Sequence, residues 1–204
     1  MESNLILYGA SGHCKVIIDV LESCDLNTLT IVDDNINTTS ILGRKVVHSS
    51  AISFKETDTV LLSIGNNKVR KELSKKLDVQ FLKAIHPKAI VSRHSTIGEG
   101  TVVMAGSVIN PSVVIGKHCI INTAAVIEHD CVIENFVHIS PNASLAGEVF
   151  VGEGSQVGIG AAIIQGIKIG KWVVIGAGSV IIKDVPDYSV IVGNPGRKIK
   201  HINE

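Results

Sequence analysis

Residues 91–121 read VSRHSTIGEGTVVMAGSVINPSVVIGKHCII, and every sixth residue from Val91 is a β-branched aliphatic: Val91, Ile97, Val103, Ile109, Ile115, Ile121. The step continues without a slip through Ile127, Ile133, Ile139, Leu145, Val151, Val157, Ile163, Ile169 and Ile175 to Ile181. Ile, Val and Leu make up 67 of the 204 residues, so sixteen consecutive hits mark a structural period and not a chance alignment. Four positions after the aliphatic the residue is small or β-branched, as at Ser95, Thr101, Ser107, Cys119, Ala125 and Cys131. A period of six fits neither an amphipathic helix nor an alternating strand. One large and one small inward residue per six describes a short strand, a tight corner and another strand, repeated as a parallel β-helix in which each aliphatic stacks on the one eighteen residues later. Gly98, Gly116, Gly152, Gly158, Gly170 and Gly176, each following an aliphatic, are read as giving the corners their backbone freedom. Residues 91 to 186 make about five coils, and Val185-Pro186 is read as the end of the pattern because proline breaks a ladder.

The rest of the composition agrees with this core. Aromatic residues are only 3%, whereas β-branched aliphatics dominate the 45% hydrophobic content. Lys+Arg and Asp+Glu are balanced at 19 each, which removes the electrostatic footprint of a nucleic-acid binder or a polybasic membrane anchor. Small molecules or proteins are the expected partners. No apolar run is long enough for a membrane span, and Met1-Glu2-Ser3-Asn4 lacks the features of a leader, so a cytoplasmic protein is expected. Cys14, Cys24, Cys119 and Cys131 form no C-x-x-C pair and read as small apolar fillers.

The first half has another grammar. Leu5-Ile6-Leu7-Tyr8 is a short apolar strand, followed by Gly9-Ala10-Ser11-Gly12-His13 and an amphipathic stretch from Cys14 to Glu22. Strand, glycine turn and helix open a βαβ unit. A second strand, Leu29 to Val32, runs into Asp33-Asp34, and a third, Thr59 to Ser63, into Gly65-Asn66-Asn67 ahead of a helical pattern from Lys68 to Leu77. Polar residues therefore gather at the carboxyl ends of three strands, the edge at which open α/β sheets bind ligands. The dinucleotide fingerprint needs Gly where Ser11 and Cys14 stand, so a nicotinamide site is disfavoured, although Gly9 and Gly12 could still present free N–H groups to a phosphate. The alternative, that these glycines only shape a turn and Asp33-Asp34 only close a strand, stays open. Phe81 to Ile85 is read as completing the sheet, with His86-Pro87 as the junction. The expected fold is thus α/β followed by β: a small Rossmann-like domain over residues 1–86, then a β-helix with a C-terminal tail over 87–204.

Eight histidines are present, most read as surface residues, and neither they nor the cysteines show a metal-ligand spacing, so no metal is expected. The stretch Ile127-Glu128-His129-Asp130-Cys131 differs, because it sets an imidazole between two carboxylates. A carboxylate can fix the tautomer and raise the basicity of His, as a general base requires. Neighbours in a strand point to opposite faces, so the contact would have to be made through a corner or across a subunit boundary. On spacing alone a solvated polar turn is the better account.

Taken together, Gly9-Ala10-Ser11-Gly12-His13, Ser63-Ile64-Gly65-Asn66-Asn67, Ile127-Glu128-His129-Asp130, Phe136-Val137-His138 and Gly193-Asn194-Pro195-Gly196-Arg197 resemble the PglD/NeuD group of nucleotide-sugar acetyltransferases over nearly the whole chain. The resemblance implies a left-handed β-helix, acetyl-CoA as co-substrate, and acetyl transfer to the amine of a UDP-linked 4-amino-4,6-dideoxy sugar. It implies a homotrimer with active sites between subunits. It also implies residue roles. Ser11, Gly12 and His13 would meet the pyrophosphate, Asp33 and Asp34 the uridine, with Gly65 and Asn66 nearby. His129 would be the general base, oriented by Asp130, which stands where the family has Glu. Asn122 and His138 would lie at the acetyl end, the Gly147 N–H would serve the oxyanion, and Ile159 and Ala177 would line the pantetheine. The basic run Arg197, Lys198, Lys200 could meet CoA phosphates or form a plain solvated tail. Outward Val102, Val108, Val114 and Ile120 are read as surface for subunit contact. Two other readings stand beside this one: an O-acetyltransferase acting on a sugar such as sialic acid, and a non-catalytic β-helix scaffold.

Overall fold

The computed structural model describes residues 5–26, 29–35 and 37–202. The tetrapeptide Met1–Asn4, on which the leader reading rested, lies outside the described residues. Among the described residues no helix is long and apolar enough to cross a membrane.

The first unit is a sheet built on β1 (Leu5–Tyr8), β2 (Thr30–Asp33), β3 (Ser40–Ile41), β4 (Arg44–His48), β5 (Thr59–Leu62) and β6 (Gln80–Phe81), ordered β3-β4-β2-β1-β5-β6. All neighbours are parallel except the β3-β4 hairpin. Helix α1 (Gly12–Glu22) buries Cys14, Ile17, Ile18 and Leu21, a stripe at helical spacing, while Val16 on its other face is exposed. Helix α2 (Asn67–Lys76) starts where the Asn66 side chain accepts the Val69 N–H at 3.1 Å, and its last turn carries Lys75 and Lys76 against the carboxyl end of the helix dipole.

The period of six is a triangular β-helix. One face stacks Ala84–Ile85, Val102–Val103, Ile120–Ile121, His138–Ile139, Gln156–Val157 and Val174–Ile175 in parallel, eighteen residues apart. A second face starts at Ile90–Val91 and ends at Val180–Ile181, and a third runs from Thr96–Ile97 to Lys168–Ile169. The second residue of each pair points inward, and from Val103 to Ile181 these form one continuous core with Val113, Cys119, Ala125, Cys131, Val137 and Ala143 between them.

The inward small positions also carry hydrogen bonds that the period alone does not announce. Thr101, Ser107, Cys119, Cys131 and Ser155 each donate to the carbonyl fifteen residues on: Gly116, Asn122, Glu134, Ala146 and Gly170 O, at 2.9, 2.9, 3.1, 3.1 and 2.7 Å. Corner carbonyls that the strand ladder leaves unpaired are thus satisfied inside the core. The two cysteines stand in for hydroxyls, and burial pushes both thiols up to about 11.

Four expectations are corrected. The glycines after the aliphatics are not the left-handed residues. That conformation falls on every sixth residue from Gly100 to Gly178, with φ between 53° and 71°, and includes Ser112, His118, Ala124, Asp130, Phe136, Asn142, Glu148 and Trp172. Gly98 and Gly152 are needed for another reason: a Cβ there would sit 2.7 Å from the backbone of the next coil, at Gly116 and Gly170. Second, Phe81 to Ile85 is not one strand. Gln80–Phe81 pairs with β5, whereas Ala84–Ile85 pairs with Val102–Val103 and is the first rung of the β-helix. Third, Pro186 does not end the stack, because Ser189–Val192 adds a further rung on Val174–Ile175 and Arg197–His201 closes that face antiparallel. Fourth, Val102 and Ile120 are unavailable to another subunit. At 2% and 1% exposure they pack with Ala84, Met104 and the α1 stripe, joining the two units through one core cluster.

Candidate active site

The carboxyl edge of the first sheet meets the first face of the β-helix, and this junction gathers most of the candidates. Ser11 is the N-cap of α1 and makes no side-chain cap bond; Ser11 and Gly12 are both exposed, and no acidic residue lies in the first turn. Such a helix start offers its free N–H groups to an anion. Asp33 and Asp34 are already engaged within the chain. Asp33 accepts from the Ala10 N–H at 2.5 Å and the Asn35 N–H at 2.7 Å, pinning the glycine turn, and Asp34 accepts from Tyr8 Oη at 2.7 Å and from Ser49 Oγ. These bonds hold the Asp34 carboxyl below its usual range, while burial and the Asp34 bond push Tyr8 up to about 12. Tyr8, Gly9, Asp33, Asp34 and Ile64 line a cavity of about 120 Å³ roofed by Val69, Leu73 and Lys76 of α2. Gly65 and Asn66 line a second cavity of about 170 Å³ with Gln156 and Trp172. Gly9 (φ 110°) holds a backbone conformation that a side chain would strain, and a Cβ there would also press on Ser63 O at 3.1 Å.

His138 points outward from the first face. Its Nε2 lies 3.0 Å from Asn122 Nδ2, and its ring lies 6.4 Å from that of His13. Of the five residues that the resemblance put at the pyrophosphate and the acetyl end, His13, Asn122 and His138 are therefore neighbours at this junction. Burial, reinforced by the positive charge of Arg70, lowers His13 to about 4 and His138 to about 3, so both are neutral near pH 7. Among the described residues the buried Nε2 atom of His13 has no hydrogen-bond partner. His86 and His118 are buried, exceptions to the expectation that most histidines lie on the surface. His118 is stacked on Phe136 with ring centroids 5.2 Å apart and meets Phe81 edge-on at 4.5 Å.

His129 and Asp130 lie elsewhere, at the corner between the second and third faces. Asp130 is in the left-handed conformation (φ 61°), which swings its carboxylate back over its neighbour, and Oδ2 reaches His129 Nδ1 at 2.8 Å. The contact is made through the corner, within one chain. The Asp130 hydrogen bond raises the His129 pKa, helped by the charges of Glu128 and Glu148. Both side chains are more than half exposed. Gly147, one coil on, floors the imidazole: a Cβ there would stand 2.6 Å from His129 Cε1 and 2.7 Å from Nε2. The flanking amides of Ala146 and Glu148 donate to Ile163 O and His129 O, both at 3.0 Å, while among the described residues the Gly147 N–H donates to no ladder carbonyl. Gly147→Ala should leave stability within about 0.5 kcal/mol, because only the far end of a flexible side chain must move. It should lower kcat about 10- to 100-fold by tilting the ring; thermal melting and a thiol-release assay measure the two effects. Ile159 and Ala177 are exposed, one coil apart on the corner after the first face, with the Gly178 N–H donating to Ile159 O at 2.8 Å.

Sequence reasoning missed three participants. Tyr8 lay within an apolar strand and Arg70 within a helical pattern, neither singled out, and Trp172 stood in no motif. Trp172, like His118 and Phe136, occupies a left-handed corner where glycine is the easy choice, and its ring lies over Gly154, where a Cβ would stand 2.5 Å away. A bulky residue in that column was the available signal.

The profile of the PglD N-terminal domain matches residues 4–77, and that of the bacterial transferase hexapeptide repeat matches residues 94–129 and 148–183. The acetyltransferase domain of PglB from Neisseria gonorrhoeae, in complex with acetyl coenzyme A, superposes with a TM-score of 0.91 at 34% identity, covering 98% of this chain and 100% of that one. The chain belongs to the PglD-like family of hexapeptide-repeat acetyltransferases. A second member of known structure, PerB from Caulobacter crescentus in complex with CoA and GDP-perosamine, gives a TM-score of 0.87 at 35% identity over 98% of this chain and 99% of that one. The UDP-N-acetylbacillosamine N-acetyltransferase of Bacillus subtilis is 41% identical over 112 residues, 50% of this chain. The chain spans about half the length of the curated relatives it matches, 51% in that case.

Proposed function

We propose that the protein is an acetyl-CoA-dependent N-acetyltransferase whose acceptor is the amine of a UDP-linked 4-amino-4,6-dideoxy sugar. The observation that carries this reading is the His129–Asp130 pair seated on Gly147. It combines an imidazole of raised basicity, a carboxylate on its Nδ1, an exposed Nε2 edge and a free backbone N–H on the adjoining coil. The complexes of the family members with acetyl-CoA, CoA and GDP-perosamine support the donor and an amino-sugar acceptor, and the Bacillus relative supports UDP as the carrier.

The transfer proceeds directly between the two bound substrates. Nε2 of His129 takes a proton as the amine attacks the thioester carbonyl, the carbonyl oxygen gathers negative charge beside the Gly147 N–H, and the tetrahedral centre collapses with departure of the thiolate. Asp130 holds the imidazole with Nδ1 protonated and stabilises the imidazolium that forms. The buried cysteines take no part, since the thioester already carries the activated acyl group. The neutral pair Asn122 and His138 would orient the acetyl end, Ile159 and Ala177 the pantetheine, and Ser11, Gly12 and His13 the diphosphate. Within one chain the His129 corner and the His13, Asn122 and His138 cluster stand on different edges of the β-helix, with the strand Val126–Ile127 between them. A complete site therefore needs a second copy, and we propose a homotrimer with shared sites. The cytoplasm, where acetyl-CoA is available, is the proposed compartment.

The test is thiol release from acetyl-CoA with UDP-, GDP- and dTDP-linked 4-amino-4,6-dideoxy sugars and free sialic acid side by side. Turnover with the UDP sugar ahead of the other carriers is expected. Preference for another nucleotide would replace the carrier, turnover of sialic acid alone would make the enzyme an O-acetyltransferase, and silence with all would leave a scaffold.

A further inference from the structure

Arg70 is 1% exposed and is the buried residue of its helix, whose neighbouring Lys71 is half-buried and paired with Glu153. All five of its N–H groups donate. Nε reaches His118 O at 2.8 Å, one terminal nitrogen reaches Ile64 O at 2.8 Å and Gly65 O at 3.3 Å, and the other reaches Asn67 Oδ1 at 2.7 Å and Phe136 O at 3.0 Å. None of these acceptors is a carboxylate, so the charge is solvated by carbonyl dipoles and not neutralised. Burial lowers Arg70 only to about 10, and it stays cationic at neutral pH.

The acceptors fall into two sets. Ile64 and Gly65 belong to the turn between β5 and α2, and Asn67 opens α2. Ile64 lines the cavity with Asp33 and Asp34, and Gly65 lines the one with Gln156. His118 and Phe136 are left-handed corner residues of successive coils, and each leads within two residues into the face that carries His138. One planar, rigid group thus sets the spacing between the turn that walls both cavities and the strand that holds His138. Its charge is near enough to act on both His13 and His138.

We propose that Arg70 is a positioning residue for the nucleotide sugar: it clamps the Ile64–Gly65 turn to the coils bearing His138, and it places an unneutralised positive charge beside the His13 and His138 pair that favours a diphosphate ligand. This rests on the function proposed above. Lysine keeps the charge but loses the fork, and methionine keeps the length but loses both. Expected for Arg70→Lys is a rise of about tenfold in KM for the nucleotide sugar, larger for Arg70→Met, with KM for acetyl-CoA within about twofold of wild type. Amide exchange at Gly65, Asn66 and Asn67 should be faster in both variants, and guanidinium ion should partly restore the sugar KM of Arg70→Met. A lower melting temperature with both KM values and kcat per folded enzyme unchanged, or an equal rise in both KM values, overturns the proposal and leaves Arg70 a structural residue. If Arg70→Met does not fold, Asn67→Ala removes the one side-chain acceptor and should raise the sugar KM by less in the same selective manner; no change there also overturns the proposal. Wild-type enzyme that acetylates no nucleotide-linked amine would overturn the functional reading itself, and this inference with it.

Discussion

His129→Ala is expected to lower kcat by about 10²–10⁴-fold while acetyl-CoA affinity stays nearly intact. The side chain lies at the surface of its corner, more than half exposed, and contributes nothing to the aliphatic core, so the fold should survive its truncation. What is lost is the base that removes the amine proton as the C–N bond forms. Turnover by thiol release and acetyl-CoA binding by calorimetry measure the two halves of the statement, and wild-type turnover in the variant would end the general-base assignment. The pH dependence follows from the same geometry. The neutral imidazole is the active form, and the Asp130 hydrogen bond raises the His129 pKa above its ordinary 6.5. The rate should therefore climb with pH through that raised value. In Asp130→Asn the charge that favours the imidazolium is gone, so the acid limb should move to lower pH while the plateau falls, because the ring has lost the partner that fixes its tautomer. An acid limb that does not move would show that Asp130 leaves His129 untuned.

How much of this could be read from the chain depends on what each feature rests on. The β-helix was legible because Val91 to Ile181 are inward by chemistry as well as by position: an aliphatic every six residues has one packing solution. The left-handed column was not legible, because the ladder imposes that conformation on Ser112, His118, Asp130, Phe136 and Trp172 as readily as on Gly100. The stacked coils outweigh the local preference, about 1–2 kcal/mol per non-glycine residue. Its consequence for the site was only half legible: alternation along a strand left a corner or a subunit boundary as the routes for a His129–Asp130 contact, and only the left-handed Asp130 selects the corner. Arg70 gave no signal: between Val69 and Lys71, on a helix with lysines at four other positions, a buried guanidinium is indistinguishable from a solvated one until its acceptors are seen. The split of Phe81 from Ala84 escaped for a related reason, as both sides are apolar and only pairing tells which sheet each joins. The candidate residues of the first unit were found as a group, by their place at the strand ends, yet the jobs of Asp33 and Asn66 within the turn and the α2 cap appeared only with the backbone.

The core offers the second large effect. Ile139 is fully buried, paired in register with Ile121 below and Val157 above, and follows His138 in the same two-residue strand. Ile139→Ala is expected to cost about 2–5 kcal/mol and Ile139→Val about 0.5–1.5 kcal/mol, measured by chemical denaturation. The upper part of the alanine range is the expectation, because collapse around the cavity is opposed on every side. Coils above and below are fixed by the parallel ladder, and Asn122 N–H donates to Ile139 O at 2.9 Å. The damage should be local before it is global, as in a stacked array each coil is held mainly by its neighbours. Hydrogen exchange should accelerate first at residues 121–157, and the affinity for acetyl-CoA should weaken with it, since Asn122 and His138 flank the loosened rung. A cost below about 0.5 kcal/mol, the range of a surface substitution, would mean that this rung is not packed as its burial states.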